Sequence, residues 1–141
     1  MTDQEPAPDR TCQALGIQIA QVGPGRASLQ MQVTGGMLNG HGTAHGGYLF
    51  LLADAAFAYA SNTRGPVAVA QSAQITFLRP AVAGSTLLAE AVERARQGRY
   101  GVYDVTVRQQ GGPVVAEFRG HSLLLSGPPA ARPTDGGIDA Y

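Results

Sequence analysis

The chain contains no lysine and no tryptophan, and it has one cysteine. Without lysine, no Schiff base can form with a carbonyl substrate. Any phosphate must be met by guanidinium groups, which suit bidentate contacts. All ten basic residues are arginine, and ten carboxylates balance them, so no net field steers the molecule to nucleic acid. The single cysteine, Cys12, excludes an intrachain disulfide and a cysteine-based zinc cluster. The three histidines form neither a His-x-Glu nor an HExxH pattern, so no metal is expected. No apolar run reaches the ~18 residues that a membrane span needs. The first ten residues, MTDQEPAPDR, lack a secretory-signal pattern. A soluble cytoplasmic protein is expected. Its 141 residues fit one domain, and 44% apolar content is enough for a core.

What is present divides into one helical stretch and several strands. Residues 1–10 read as a flexible terminus, 11–126 as the folded domain, and 127–141, rich in Pro, Gly and Asp, as a disordered tail. A short helix is expected over 11–15, with Thr11 as its cap and Gly16 as its stop. Ile17, Ile19 and Val22 mark a first strand, and Leu29, Met31 and Val33 a second, joined through Gly23-Pro24-Gly25. The loop GGMLNGHGTAHGG, 35–47, then enters YLFLLADAAFAYA, 48–60. The Leu and Ala content and the length of that stretch indicate a helix. It is apolar on every side, so it should be buried. Strands follow over 67–78, 86–94, 100–108 and 114–125, joined by short turns, which indicates an antiparallel sheet. An α+β architecture results, with five or six strands curled around one long helix. A helix this apolar leaves no side for water, so two subunits should meet near it.

Asp54 is the only charged residue in the apolar helix. A carboxylate there costs several kcal/mol, on the order given for buried ions, unless it is paired or opens on a cavity. Two roles are open: a structural acid bonded to backbone or to an arginine, or a catalytic one. Gly46 and Gly47 lie where the helix begins, and free N–H groups at such a terminus can hold a developing oxyanion. An ordinary glycine-rich entry loop would look the same. Asn39 could donate to the same oxygen, although Asn-Gly is also a common turn, and from the residues alone the turn is the better reading. His45 is disfavoured as a general base, because an imidazolium beside a helix N-terminus is destabilised; a structural hydrogen bond suits it better. His41 and His121 have no partner that the sequence reveals. Ser72 lies in a strand with no Gly-x-Ser-x-Gly elbow, so it is not a hydrolase nucleophile. Arg64, Arg79, Arg94, Arg96 and Arg99 fall near the ends of elements, where solvated surface is the ordinary role.

Taken together, LNGHGTAHGGYLFLLADAAFAYASN (38–62), QSAQITFLRPAVAGSTLLAEA (71–91) and, more weakly, GVYDVTVRQQGGPVVAEFRG (101–120) resemble the hotdog-fold thioesterases of the phenylacetic acid degradation (PaaI) type. The specific part is the spacing of the Asn, the HGG and the LAD. The resemblance implies hydrolysis of aryl-acyl-CoA thioesters such as phenylacetyl-CoA or a hydroxylated relative, with no cofactor beyond the coenzyme A of the substrate. It implies that Asn39 and the Gly46 N–H hold the thioester carbonyl, that Asp54 activates water or attacks directly, and that Ser72 orients the water. His45, Gly47, Arg79 and Arg64 become candidate substrate-binding positions, the arginines for CoA phosphates. The resemblance also implies that carbonyl holders and acid come from different subunits of a homodimer, and that dimers pair into a homotetramer.

Two other readings remain. A hotdog enoyl-CoA hydratase or dehydratase would normally present a catalytic histidine with its acid, whereas His45 sits at the loop position of the thioesterase motif. A non-catalytic acyl-CoA-binding module would leave Asp54 without a purpose, and no DNA-binding segment accompanies the domain.

Overall fold

The computed structural model describes residues 8–126. The expected tail at 127–141 and most of the expected flexible terminus lie outside them. The chain runs α1 (Arg10–Ala14), β1 (Gln18–Gly23), β2 (Arg26–Gln32), a single 3-10 turn (Gly35–Met37), α2 (Gly46–Ser61), β3 (Ala68–Phe77), β4 (Thr86–Gln97), β5 (Tyr100–Gln109) and β6 (Val114–Leu124). The cap of α1 is Asp9 rather than Thr11: its Oδ1 accepts the Cys12 N–H at 2.9 Å. A carboxylate is the stronger acceptor at that terminus, so the first helix begins at Arg10, one residue before the expected Thr11.

All five strand pairings are antiparallel, in the order β1-β2-β4-β5-β6-β3. β3 leaves α2 and joins the far edge of the sheet, while β4 returns to pair with β2. The helix is thereby carried across one face of a six-stranded sheet, the hotdog arrangement expected from the sequence.

Alternation builds the core. Ala27, Leu29 and Met31 of β2, Leu87, Ala89 and Ala91 of β4, and Tyr103, Val105 and Val107 of β5 are buried on the helix side. From α2, Leu49, Leu52, Ala53, Ala56, Phe57 and Ala60 meet them. Phe57 is the anchor, with its ring centroid 5.6 Å from Tyr103 and 5.7 Å from Phe118. A Cβ at Gly120 would lie 2.8 Å from the Phe57 ring, so β6 accepts that ring only because residue 120 has no side chain.

The helix is not buried on all sides within one protomer. Gly47 and Ala58 are exposed, and Leu51 and Asp54 are half-buried. At this spacing they form one stripe along the axis. β3 is also open: among the described residues one of its edges has no strand beside it, and Val69 and Phe77 are 40% and 51% exposed.

Candidate active site

The loop before α2 is a small, closely bonded hairpin. Leu38 and Ala44 bridge each other, Thr43 bridges Val82, and the Ala44 N–H donates to the Ala81 carbonyl at 2.9 Å. Its turn is closed by Asn39 N–H to Thr43 O (2.8 Å) and Gly42 N–H to Asn39 O (3.1 Å). Gly42 has φ +81°, a backbone that a side chain would strain. Asn39 serves as the turn residue that composition favours. Its Oδ1 accepts from His41 N–H (2.9 Å), Thr43 N–H (3.2 Å) and Thr43 Oγ1 (3.3 Å). That role uses only the oxygen end of the carboxamide. Nδ2 has no acceptor among the described residues and stays available as a donor.

α2 begins at Gly46, with His45 at the cap position making no side-chain cap bond. The His45 N–H donates to Met37 O at 2.9 Å, so among the described residues its structural bond comes from the backbone and not from the ring. The N–H groups of Gly46 and Gly47 have no acceptor among the described residues, as the first turn of a helix requires. The Phe77 ring lies over Gly46, 2.8 Å from where a Cβ would be. Glycine is therefore fixed at 46 by β3 as well as by any ligand. This contact has no signature in the sequence, because it joins residues 31 positions apart. Beside it opens a cleft of about 430 Å³ lined by Ala44, Gly46, Leu49, Phe77 and Arg79.

Asp54 stands eight residues further along, on the open stripe. No arginine, hydroxyl or backbone group bonds it among the described residues, so the structural role left open by the sequence finds no partner here. Burial pushes its carboxyl above the ordinary aspartate range. Cys12 of α1 is buried: burial first, then the hydrogen bond and charge of Asp9 and the charge of Asp54, push its thiol up to about 12. A groove of about 620 Å³ lies further along the helix, between Ala58 and Tyr59 on α2, its C-cap Asn62, Asp9, and the β1–β2 turn at Val22 and Pro24.

The structure does not gather all the candidates. Ser72 is exposed on the outer face of the sheet, its Oγ 3.2 Å from His121 Nδ1. A bulge at Gln71 causes this. Ala68 and Ala70 oppose Leu124 and Ser122 on the helix side, but Ser72 opposes His121 on the other side. Within a protomer, Ser72 is not brought to Asp54. Arg64 lies beyond the C-terminus of α2 and is paired with Glu93 at 2.9 Å, an acid that also accepts the Tyr103 hydroxyl at 2.8 Å. Arg94 is held by Asp104 and Arg96 lies near Glu93. Arg79 has no ion pair among the described residues and stands at the cleft beside Gly46.

The family model described as "Thioesterase superfamily" matches residues 41–116. Acyl-coenzyme A thioesterase PaaI of Escherichia coli (strain K12) is 49% identical over 119 residues, covering 84% of this chain and 85% of that protein. The structure of the E. coli PaaI protein from the phenylacetic acid degradation operon superposes with a TM-score of 0.82 over 84% of this chain and 86% of its own. The TT0310 protein of Thermus thermophilus has a TM-score of 0.80 at 44% identity, covering 84% of this chain and all of its own. A Streptococcus mutans protein solved with acetyl-CoA bound has a TM-score of 0.75 at 28% identity, covering 79% of this chain and 90% of its own. The family model spans more than half of the chain and the E. coli relative most of it, so the chain belongs to the thioesterase superfamily and is a hotdog-fold thioester hydrolase.

Proposed function

We propose that the protein is a cytoplasmic acyl-CoA thioesterase that hydrolyses aryl-acyl-CoA, of the phenylacetyl- or hydroxyphenylacetyl-CoA kind, to the free acid and CoA. The observation that carries this reading is Asp54, a carboxyl without a partner among the described residues, its pKa raised by burial, on an apolar helix and open on one side. The E. coli relative, an acyl-CoA thioesterase from a phenylacetic acid operon, supports the substrate class. The thioester carbonyl oxygen takes hydrogen bonds from the Gly46 N–H and Asn39 Nδ2. Either water attacks the carbonyl carbon while Asp54 takes its proton, or Asp54 attacks and water then cleaves the anhydride. In both routes the oxyanion is held by the same two donors and the CoA thiolate leaves. Arg79 is positioned to meet a CoA phosphate. His45 and Gly47 border the carbonyl site, Ser72 orients the attacking water in a site shared with a second subunit, and Arg64, paired with Glu93, takes no part.

The site needs two subunits. Eight residues of α-helix separate Gly46 from Asp54, about 12 Å along the axis at 1.5 Å per residue. An aspartate side chain does not bridge that span to a carbonyl held at the helix terminus. A partner's Asp54 stripe laid against the loop would. The open helix stripe and the β3 edge, without a strand beside it among the described residues, offer the surface for such a dimer, and dimers pairing into tetramers would complete the assembly.

A thiol-release assay across aryl and alkyl acyl-CoAs tests the substrate. Aryl-acyl-CoAs should have the highest kcat/KM, and a uniformly higher value for straight-chain substrates would reject the aryl class. The shared site is tested by mixing Asp54→Asn with Asn39→Ala subunits. Exchange should restore activity, because one site of each heterodimer then carries both intact groups. Confirmed exchange without recovery would reject the shared site.

A further inference from the structure

We propose that Thr43 is a positioning residue for the reaction, its hydroxyl holding the Asn39 carboxamide so that Nδ2 is presented to the thioester oxygen. This rests on the carbonyl-binding role given to Asn39 above and adds the group that sets its orientation.

Three donors converge on Asn39 Oδ1: the backbone N–H of His41 at 2.9 Å, the backbone N–H of Thr43 at 3.2 Å and the Thr43 hydroxyl at 3.3 Å. Backbone N–H groups cannot accept. The atom they face must therefore be the oxygen, which assigns the two ends of the amide by chemistry. Nδ2 is left with no acceptor among the described residues. A flipped amide would set its NH2 group against two N–H donors and present oxygen to an oxyanion, which is repulsive at both ends.

Two of the three donors belong to the backbone and survive any side-chain change. The hydroxyl of Thr43 is the one that a side chain supplies. It has a firm base, since Thr43 O accepts the Asn39 N–H at 2.8 Å and Thr43 bridges Val82 on the segment leading into β4. Donation into Oδ1 also polarises the amide and makes its N–H a better donor. The hydroxyl is thus placed to act when charge develops on the substrate oxygen, more than when substrate binds.

The experiment is a double-mutant cycle in thiol release with phenylacetyl-CoA. Thr43→Val keeps the branched shape and removes the hydroxyl. It should lower kcat roughly fivefold, the effect of one neutral hydrogen bond, with KM and melting temperature nearly unchanged. Thr43→Ser should restore kcat. In an Asn39→Ala background, Thr43→Val should cause no further loss. Wild-type kcat for Thr43→Val would overturn the proposal. So would an equal loss in the Asn39→Ala background, which would make Thr43 a residue of loop folding. Wild-type kcat for Asn39→Ala alone would remove the carbonyl role of Asn39 itself, a failure visible without any Thr43 variant.

Discussion

Asp54 and Asp104 carry the same side chain into opposite surroundings. Asp54 sits on an apolar helix with no cation or donor beside it among the described residues, and burial raises its pKa. Asp104 lies on the outer face of β5, between Arg119 at 2.6 Å and Arg94 at 2.8 Å. The Arg119 hydrogen bond, helped by Arg94, outweighs partial burial and holds its carboxyl at about 2. Its surroundings are paired in the same way: Arg108 lies 3.3 Å from Glu90, and the Thr106 hydroxyl donates to Glu117 at 3.0 Å. Among the described residues, the acids of the sheet have partners across the strands and Asp9 has the Cys12 N–H, whereas Asp54 has neither a hydrogen bond nor an ion pair.

The comparison breaks most directly through turnover. Asp54→Asn is nearly isosteric and removes the base or nucleophile. It should lower kcat by ~100-fold or more, the usual range for a positioned acid–base group. Asp104→Asn should leave kcat close to wild type. Near-normal thiol release by purified Asp54→Asn would make Asp54 another structural acid and end the contrast.

Much of this was legible in the sequence, for physical reasons. The helix declared itself because thirteen consecutive residues with one charge have no other low-energy place than the core. Asp54 stood out against that background, and the strands followed from alternation. What escaped was whatever depends on register or on distant partners. The one-residue bulge at Gln71 reverses the faces of β3 and sets Ser72 on the outer face of the sheet. The Ser72–His121 contact was hidden for the same reason. Arg64 looked like a free cation near a helix end, and only the return of β4 brings Glu93 to it. Asn39 was a choice between turn residue and donor. The structure gives the turn to Oδ1 and leaves Nδ2 without an acceptor among the described residues.

The next effect is on stability and carries the opposite sign from the first. The folded-state pKa of Asp54 is raised above its unfolded value, so the folded state binds that proton more tightly. Stability is therefore lost as pH rises from below the ordinary aspartate value through the raised one, and stays lower above it. Asn carries no such penalty. At neutral pH, Asp54→Asn should melt above wild type. The difference should shrink as pH falls through the raised pKa and vanish below the ordinary value. Wild-type kcat should fall over the same acidic window, because the reaction needs the carboxylate. Melting curves that coincide at neutral pH would mean that the carboxylate is not desolvated in the working assembly.

The smallest effect belongs to Asp104, and its sign is reversed again. Its folded-state pKa is depressed from 3.8 to about 2, so its stabilising contribution is complete above the unfolded value and is lost as pH falls toward about 2. Asp104→Asn should therefore melt slightly below wild type at neutral pH and converge with it in acid, the mirror image of Asp54→Asn. The loss stays small because Arg94 and Arg119 are more than half exposed, so water takes the place of the missing carboxylate. Added salt should narrow the gap further, since exposed pairs are screened. Melting temperatures of wild type and variant across pH and ionic strength check all three statements. A large loss that salt does not reduce would show that the outer face is buried in the assembled enzyme. The two aspartates would then differ in partners and not in exposure.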